Sequence, residues 1–169
     1  MRETAIICQT LNLLRGIWKG VEKEWQNHCR SLDITLTQQH ILCILAFEES
    51  ITISGLSDYA LMHITTTTDV VNRLQRKGLV RVEACPYDGR AHLVSLTEEG
   101  RSTWRRSLGC IDKFPLLAKV TELPPEERRL LMSTLFEWAA EIQGDEFCQW
   151  VSATGEKIGS MGTELRASS

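Results

Sequence analysis

The chain has little proline and glycine, no closely spaced cysteines and no long apolar run. Four prolines and eleven glycines in 169 residues are too few for a collagen-like or low-complexity polymer. No stretch approaches the roughly 18 consecutive apolar residues of a transmembrane helix. Met1 to Cys8 lacks a basic segment followed by a long apolar core, so no secretory signal is read and the cytoplasm is the expected compartment. Of the six cysteines, the closest pair, Cys29 and Cys43, is fourteen positions apart. That excludes C-x-x-C redox and zinc-ribbon motifs and favours free thiols. His28, His40, His63 and His92 show no ligand spacing, so no metal and no other cofactor is expected. The sequence contains no G-x-S-x-G, P-loop, H-E-x-x-H or dinucleotide fingerprint. No catalytic residue is therefore assigned, and an enzyme is not expected.

What is present is an uneven charge distribution. The whole chain carries a formal net charge of −3. Between Leu61 and Arg106, eight Lys/Arg oppose five Asp/Glu for a net of +3, which leaves the remainder at −6. A basic middle between acidic flanks suits a local nucleic-acid surface; chance clustering gives the same count.

Hydrophobic periodicity orders the chain. Ile7, Leu11, Leu14, Trp18, Val21 and Trp25 recur at spacings of three and four and predict one helix over Thr4–Arg30. Its stripe faces either another subunit or the chain's own core. Thr37 is read as the cap of a helix over Gln38–Glu48, with Ile41, Leu42, Leu45 and Ala46 inward. The β-branched Ser50–Ile53 follows, then a short helix restarted by Ser54 and burying Leu56 and Ala60. The next helix, Ile64 to Lys77, buries Ile64, Thr67, Val71 and Leu74 and stops at Gly78. For its cap, Thr65 has the better chemistry and His63 the better spacing. The period then drops to two, with Val80, Val82 and Ala84 on one face. Pro86–Arg90 is read as a hairpin turn around Asp88-Gly89, and His92–Leu96 as the returning strand. Thr97 opens a helix to about Lys113, which Phe114-Pro115 ends or kinks. Pro124-Pro125-Glu126-Glu127 starts a strong helix with Leu130, Leu131, Leu135, Trp138 and Ile142 on one face, ending at Gly144. Phe147, Trp150 and Val151 fit a further short helix, and the Gly- and Ser-containing tail from Gly155 is expected to be mobile.

Helix, turn, helix and a two-stranded hairpin is the order of a winged helix-turn-helix. Leu74-Gln75-Arg76-Lys77-Gly78-Leu79-Val80, Asp88-Gly89-Arg90 and Val94-Ser95-Leu96-Thr97-Glu98-Glu99-Gly100 together resemble the MarR-type transcriptional regulators. Trp18–Trp25, Gln39–Leu42, Leu61–Ile64 and Gly144–Phe147 resemble, within that family, the Hpr (ScoC) type that controls protease-production and sporulation-phase genes. The resemblance implies a mainly α fold with a small β-hairpin wing. It also implies one MarR-like domain: a dimerisation helix over 1–36, the winged helix over 37–100, C-terminal dimerisation helices over 101–154 and a tail over 155–169. The expected function is a sequence-specific regulator, a repressor, binding a pseudo-palindromic double-stranded DNA operator as a homodimer without membrane association. Family members commonly bind aromatic small molecules, so an effector is a further expected partner.

The resemblance also nominates the contacts. The start of a helix lying in the major groove meets base edges, which here brings Thr65, Thr66, Thr68 and Asp69 forward, with Thr67 packing inward. Asn72, Arg73 and Arg76 follow for bases or backbone, although Arg76 and Lys77 are also readable as solvated charges at a helix end. In the family the arginine matching Arg90 enters the minor groove, where negative potential favours a guanidinium. Asp88 then steadies the wing, and His92 is a candidate backbone contact. Without the resemblance, Asp88-Gly89 is only a turn and Arg90 an exposed charge. Some relatives sense oxidation through a cysteine near the first helix, where Cys8 stands, but its neighbours supply no positive charge to activate a thiol.

Overall fold

A computed structural model describes residues 2–108 and 115–167, without the side chains of Arg2, Arg90, residues 115–117 and residues 161–167. The elements are α1 (Arg2–Ser31), α2 (Leu36–Phe47), β1 (Ile51–Thr52), α3 (Ile53–Ala60), α4 (Ile64–Arg76), β2 (Val80–Cys85), β3 (Asp88–Leu96), α5 (Glu98–Leu108), α6 (Pro115–Glu122), α7 (Pro125–Gln143) and α8 (Asp145–Ala167). The expected ending of α5 between Leu108 and Pro115 lies outside the described residues. The chain divides into two compact units, Met1–Ala118 and Lys119–Ser169.

The first unit is a winged helix-turn-helix. Its core is built from Ile41, Leu42, Ile44 and Leu45 of α2, Leu56 of α3, Val71 and Leu74 of α4, Val94 of β3 and Trp104 of α5, all essentially inaccessible. Phe47 meets Trp104 edge to face, with centroids 5.6 Å apart. Gln39, buried among these apolar groups, donates to Ser107 Oγ at 3.3 Å, and Ser107 in turn donates to the Trp104 carbonyl at 2.7 Å. This buried polar link has its partners, and it ties α5 to α2.

Two helix caps differ from the sequence expectation by two residues. The cap of α2 is Thr35 rather than Thr37. Thr35 Oγ1 accepts from Gln38 N, and Gln38 Oε1 accepts from Thr35 N. This reciprocal box needs Gln or Glu three residues after the hydroxyl; Thr35 has Gln38 there, whereas Thr37 has His40. Thr52, not Ser54, caps α3 by accepting from Gly55 N at 3.1 Å. At α4, His63 takes the cap, and Ile64, expected inward, is exposed because it occupies the first turn before the buried Thr67–Val70–Val71–Leu74 row begins.

The sheet order is β1-β3-β2, antiparallel throughout. The turn is not at Asp88-Gly89. Cys85 pairs with Asp88, so Pro86 and Tyr87 form a two-residue turn, and neither has a positive φ. Proline fixes a negative φ, which excludes the primed turn that matches strand twist. The ladder accommodates this with an irregularity. From the pair Ala84–His92 to the pair Cys85–Asp88, β2 advances one residue and β3 four, leaving Gly89, Arg90 and Ala91 without ladder partners. Ala84, expected inward, is exposed at this bulge.

Two close contacts fix the far end of α4. Gly78, with φ +70, terminates α4. Thr97 Oγ1 then donates to the Gly78 carbonyl at 2.7 Å and accepts from Gly100 N at 3.0 Å. A Cβ on Gly100 would lie 1.9 Å from the Leu79 carbonyl oxygen, so α5 starts where only glycine fits.

In the second unit, α7 begins on Pro125 in its first turn and ends at Gly144, φ +88. The expected short helix with a mobile tail is instead α8, 23 residues long and continuous to Ala167. Gly155 and Gly159 weaken a helix by about 1 kcal/mol each relative to alanine. The acids at its start, Asp145 and Glu146, favour it.

Candidate nucleic-acid interface

The buried face of α4 is Thr67, Val70, Val71 and Leu74. By helical geometry the opposite, outward face is the row Thr65, Asp69, Asn72 and Arg76, at spacings of four, three and four; all four are exposed. Thr66 and Arg73 lie on one flank of that row and Thr68 on the other. The sequence-nominated residues of α4 therefore do share one surface.

The threonine run is not uniform. Thr65 N donates to His63 Nδ1, and Thr65 Oγ1 lies 2.9 Å from the same nitrogen. That nitrogen is then an acceptor, and the Thr65 hydroxyl donates to it as well. Thr67 Oγ1 donates to the His63 carbonyl at 3.4 Å and Thr68 Oγ1 to the Ile64 carbonyl at 2.8 Å. Three hydroxyl protons are thus spent on the helix's own first turn, leaving oxygens that still accept. Thr66 is exposed and, among the described residues, makes no such bond, so its hydroxyl is free both to donate and to accept. Asp69 brings a carboxylate to the middle of the row. It repels phosphate but can accept from an amino group of a base edge, typically cytosine N4, in the major groove. Arg76 Nε donates to the Asn72 carbonyl at 3.3 Å, which keeps its guanidinium along the helix. Lys77 is not a free charge: its Nζ pairs with Asp33 Oδ2 at 3.0 Å and also donates to the Asp33 carbonyl.

Toward the wing, a groove of about 360 Å³ runs between the starts of α3 and α4 and strand β3. It is lined by Thr52, Ser54, Ile64, Thr68, Asp88 and His92 among others. The structure thus brings Thr68, Asp88 and His92 together, and it adds Thr52 and Ser54, which sequence reading passed over as strand and cap. Arg90 lies on β3 within the bulge; its side chain is outside the described residues. The tip of the wing is Tyr87, 96% exposed, immediately before the expected Asp-Gly turn. Its signal was Pro86, which moves the turn toward itself.

Among the described residues, no three His, Cys, Asp or Glu side chains are placed to hold a metal ion. Cys8 is exposed and Cys29 buried. Burial raises the pKa of the Cys43 thiol, against a smaller lowering by its bond to Trp104, so Cys43 stays protonated and packs as a small apolar group.

An outward helix row with an adjacent hairpin wing is the arrangement by which winged-helix proteins meet duplex DNA. Residues 34–92, about a third of the chain, match the model of the MarR family. Along its length it is similar to the HTH-type transcriptional regulator Hpr of Geobacillus sp. (strain WCH70), 28% identical over 162 residues, 94% of this chain and 81% of the relative. It is 30% identical over 101 residues to the DNA-binding transcriptional repressor ScoC of Bacillus subtilis (strain 168), covering 59% of this chain. In that comparison, and in the one with Hpr of Halalkalibacterium halodurans, the chain spans 50% of the relative's length. Among solved structures, a mutant MarR from E. coli complexed with operator DNA shares the fold at a TM-score of 0.69 and 24% identity, covering 78% of this chain and 94% of that one.

Proposed function

We propose that this chain is a sequence-specific, DNA-binding transcriptional repressor of the Hpr type that works as a homodimer in the cytoplasm. The observation that carries the reading is the outward row of α4 beside a groove that runs to the wing. In this reading Thr65, Thr66, Thr68, Asp69 and Asn72 meet base edges in the major groove. Arg73 and Arg76 reach bases or phosphates further along α4. Arg90 enters the minor groove, Asp88 orients the wing, and His92 contacts backbone. The names of the Hpr and ScoC relatives and the operator complex of the MarR mutant support it. No helix among the described residues is long and apolar enough to cross a membrane. Titrating a labelled duplex selected by the intact chain from a random pool, taken as the operator, with that chain at two salt concentrations tests the reading. Binding is expected, stronger to the operator than to a scrambled duplex, and weaker at the higher salt. No complex at either salt contradicts it.

Thr66→Ala removes the uncommitted hydroxyl while improving helix propensity. The melting temperature is expected to hold or rise slightly. Operator binding should weaken by about 0.5–1.5 kcal/mol for each lost hydrogen bond, twice that for a dimer with two such contacts. Thr68→Ala should cost less, because its proton is already engaged within α4. Equal or absent losses, read by fluorescence anisotropy, would move the base-reading surface away from this end of α4.

The dimer is supported by apolar faces that each unit leaves uncovered. Ile7, Leu11, Leu14 and Trp18 form an exposed row on α1, and Leu130, Leu135, Trp138 and Ile142 are exposed on α7. Apolar surface in such contiguous rows marks an association face. The double substitution Leu11→Glu, Leu14→Glu is expected to convert the sedimenting species from twice 19.2 kDa to 19.2 kDa. Both positions face away from the first unit's core, so its far-UV signal should be retained. An unchanged dimer would exclude α1 from the interface.

A further inference from the structure

We propose that Arg30, at the C-terminal end of α1, holds the DNA backbone on the side of α4 opposite the wing, together with Arg73 and Arg76. The long N-terminal helix then takes part in DNA binding. The inference rests on the DNA-binding reading above and extends it to a second strand contact.

A groove of about 550 Å³ opens between the end of α1, the start of α2 and the C-terminal half of α4. Arg30, Arg73, Arg76 and Lys77 line it, and Asp33 is the one acid among its lining residues. Asp33 is taken by Lys77, which bonds both its carboxylate and its carbonyl. Arg30 Nη1 donates to the neutral Asn27 Oδ1 at 3.3 Å, and Arg76 Nε to a backbone carbonyl. Three guanidinium groups therefore line one groove without a carboxylate of their own among its lining residues. Such a cluster repels itself and is favourable only against a concentration of negative charge. The start of α2, capped at Thr35, also borders the groove and adds the partial positive charge of a helix N-terminus.

The geometry favours a passing strand over a small aromatic anion. Ile34 is the one apolar residue type in the lining; the rest of its apolar surface belongs to the stems of polar and charged side chains, which makes a poor slot for a ring. A helix lying in the major groove has a sugar-phosphate strand along each flank. The wing-side flank of α4 carries the groove of Thr52, Ser54 and His92. The other flank carries Arg73 and this basic groove. The end of α1 is also fixed in place: Gln26 Oε1 accepts from Leu36 N at 3.2 Å, and the Lys77–Asp33 pair joins the α1–α2 corner to the end of α4.

Arg30→Ala and Arg30→Lys in the intact chain, with Arg15→Ala as the control, test this. Arg15 lies fifteen residues back along α1, about 22 Å at the helical rise. The readout is the slope of log affinity against log salt, on the operator and on a scrambled duplex. Each phosphate contact contributes about 0.9 to that slope. Losing one contact per protomer should flatten the dimer's slope by about 1.8 and weaken binding roughly thirty-fold at 0.15 M salt. The loss should be the same on both duplexes, because a backbone contact carries no sequence information. Arg30→Lys should restore the slope, and Arg15→Ala should leave it unchanged. A parental slope in Arg30→Ala, or a loss confined to the operator, overturns the backbone assignment; so does an equal flattening by Arg15→Ala, which would report net charge alone. If the parent chain binds neither duplex, it is the functional reading that fails.

Discussion

Arg90→Ala is expected to lower affinity for the operator by about thirtyfold to nearly a thousandfold while leaving the melting temperature almost unchanged. Arg90 sits in the bulged segment of β3, where Gly89, Arg90 and Ala91 have no ladder partners, and its replacement by alanine keeps the backbone pairing on either side. Bulges re-aim side chains next to functional surfaces. The family resemblance assigns this arginine to the minor groove, where the negative potential of a narrow groove favours a guanidinium. At roughly 1–2 kcal/mol per contact, by analogy with base-contacting arginines, a dimer loses two such contacts. The salt slope should flatten with it. Arg90→Lys should rescue only in part, because an ammonium restores the charge without the planar donor fork. Asp88→Ala should produce a milder loss if Asp88 acts by orienting the wing. Gel-shift titration of the three variants at physiological salt checks the ranking. Parental affinity in Arg90→Ala would remove the wing from the mechanism.

The largest expected effect on stability comes from Gly100→Ala. On helix propensity alone this change should stabilise α5 by about 1 kcal/mol. The structure reverses the sign: the added Cβ would sit 1.9 Å from Leu79 O and 2.9 Å from Leu79 C, and backbone atoms cannot swing aside as a flexible side chain can. Overpacking of this kind costs about 3 kcal/mol, equivalent to a fall in melting temperature of roughly 10 °C for a chain of this size. Gly155→Ala is the internal control, since a Cβ added there would meet no heavy atom within 4 Å. That substitution should gain the propensity without the clash and raise helicity slightly. Thermal unfolding followed by circular dichroism separates the two. A Gly100→Ala protein as stable as the parent would mean that the junction of α4, β2 and α5 is looser than described.

Helix α4 was legible in the sequence because most of its signals were local. A row of apolar and threonine side chains at helical spacing led to Gly78, and a change to period two followed at once. Thr97 and the acids after it marked the start of α5 for the same reason. What the sequence left unread had competing or distant causes. Thr35 and Thr37 offer the same hydroxyl, and only Gln38, three residues after Thr35, decides between them. At the wing, Asp88-Gly89 is the stronger turn dipeptide, yet Pro86 presets the φ of a first central turn residue, and the turn falls on Pro86-Tyr87. In α8, Gly155 and Gly159 weakened the periodic signal without ending the helix. The α4 contacts were legible as types of residue, but which hydroxyl remains free depends on hydrogen bonds within the first turn. Arg30 and Arg73 are 43 positions apart, and no local pattern announces that they line one groove.

Selection of duplexes from a random pool by the intact chain tests the central claim most directly. The account predicts enrichment of a pseudo-palindrome whose half-sites are one helical turn apart, about 10–10.5 base pairs from centre to centre. A pool that remains random after repeated rounds, with affinity for every recovered duplex equal to that for the starting mixture, would contradict it.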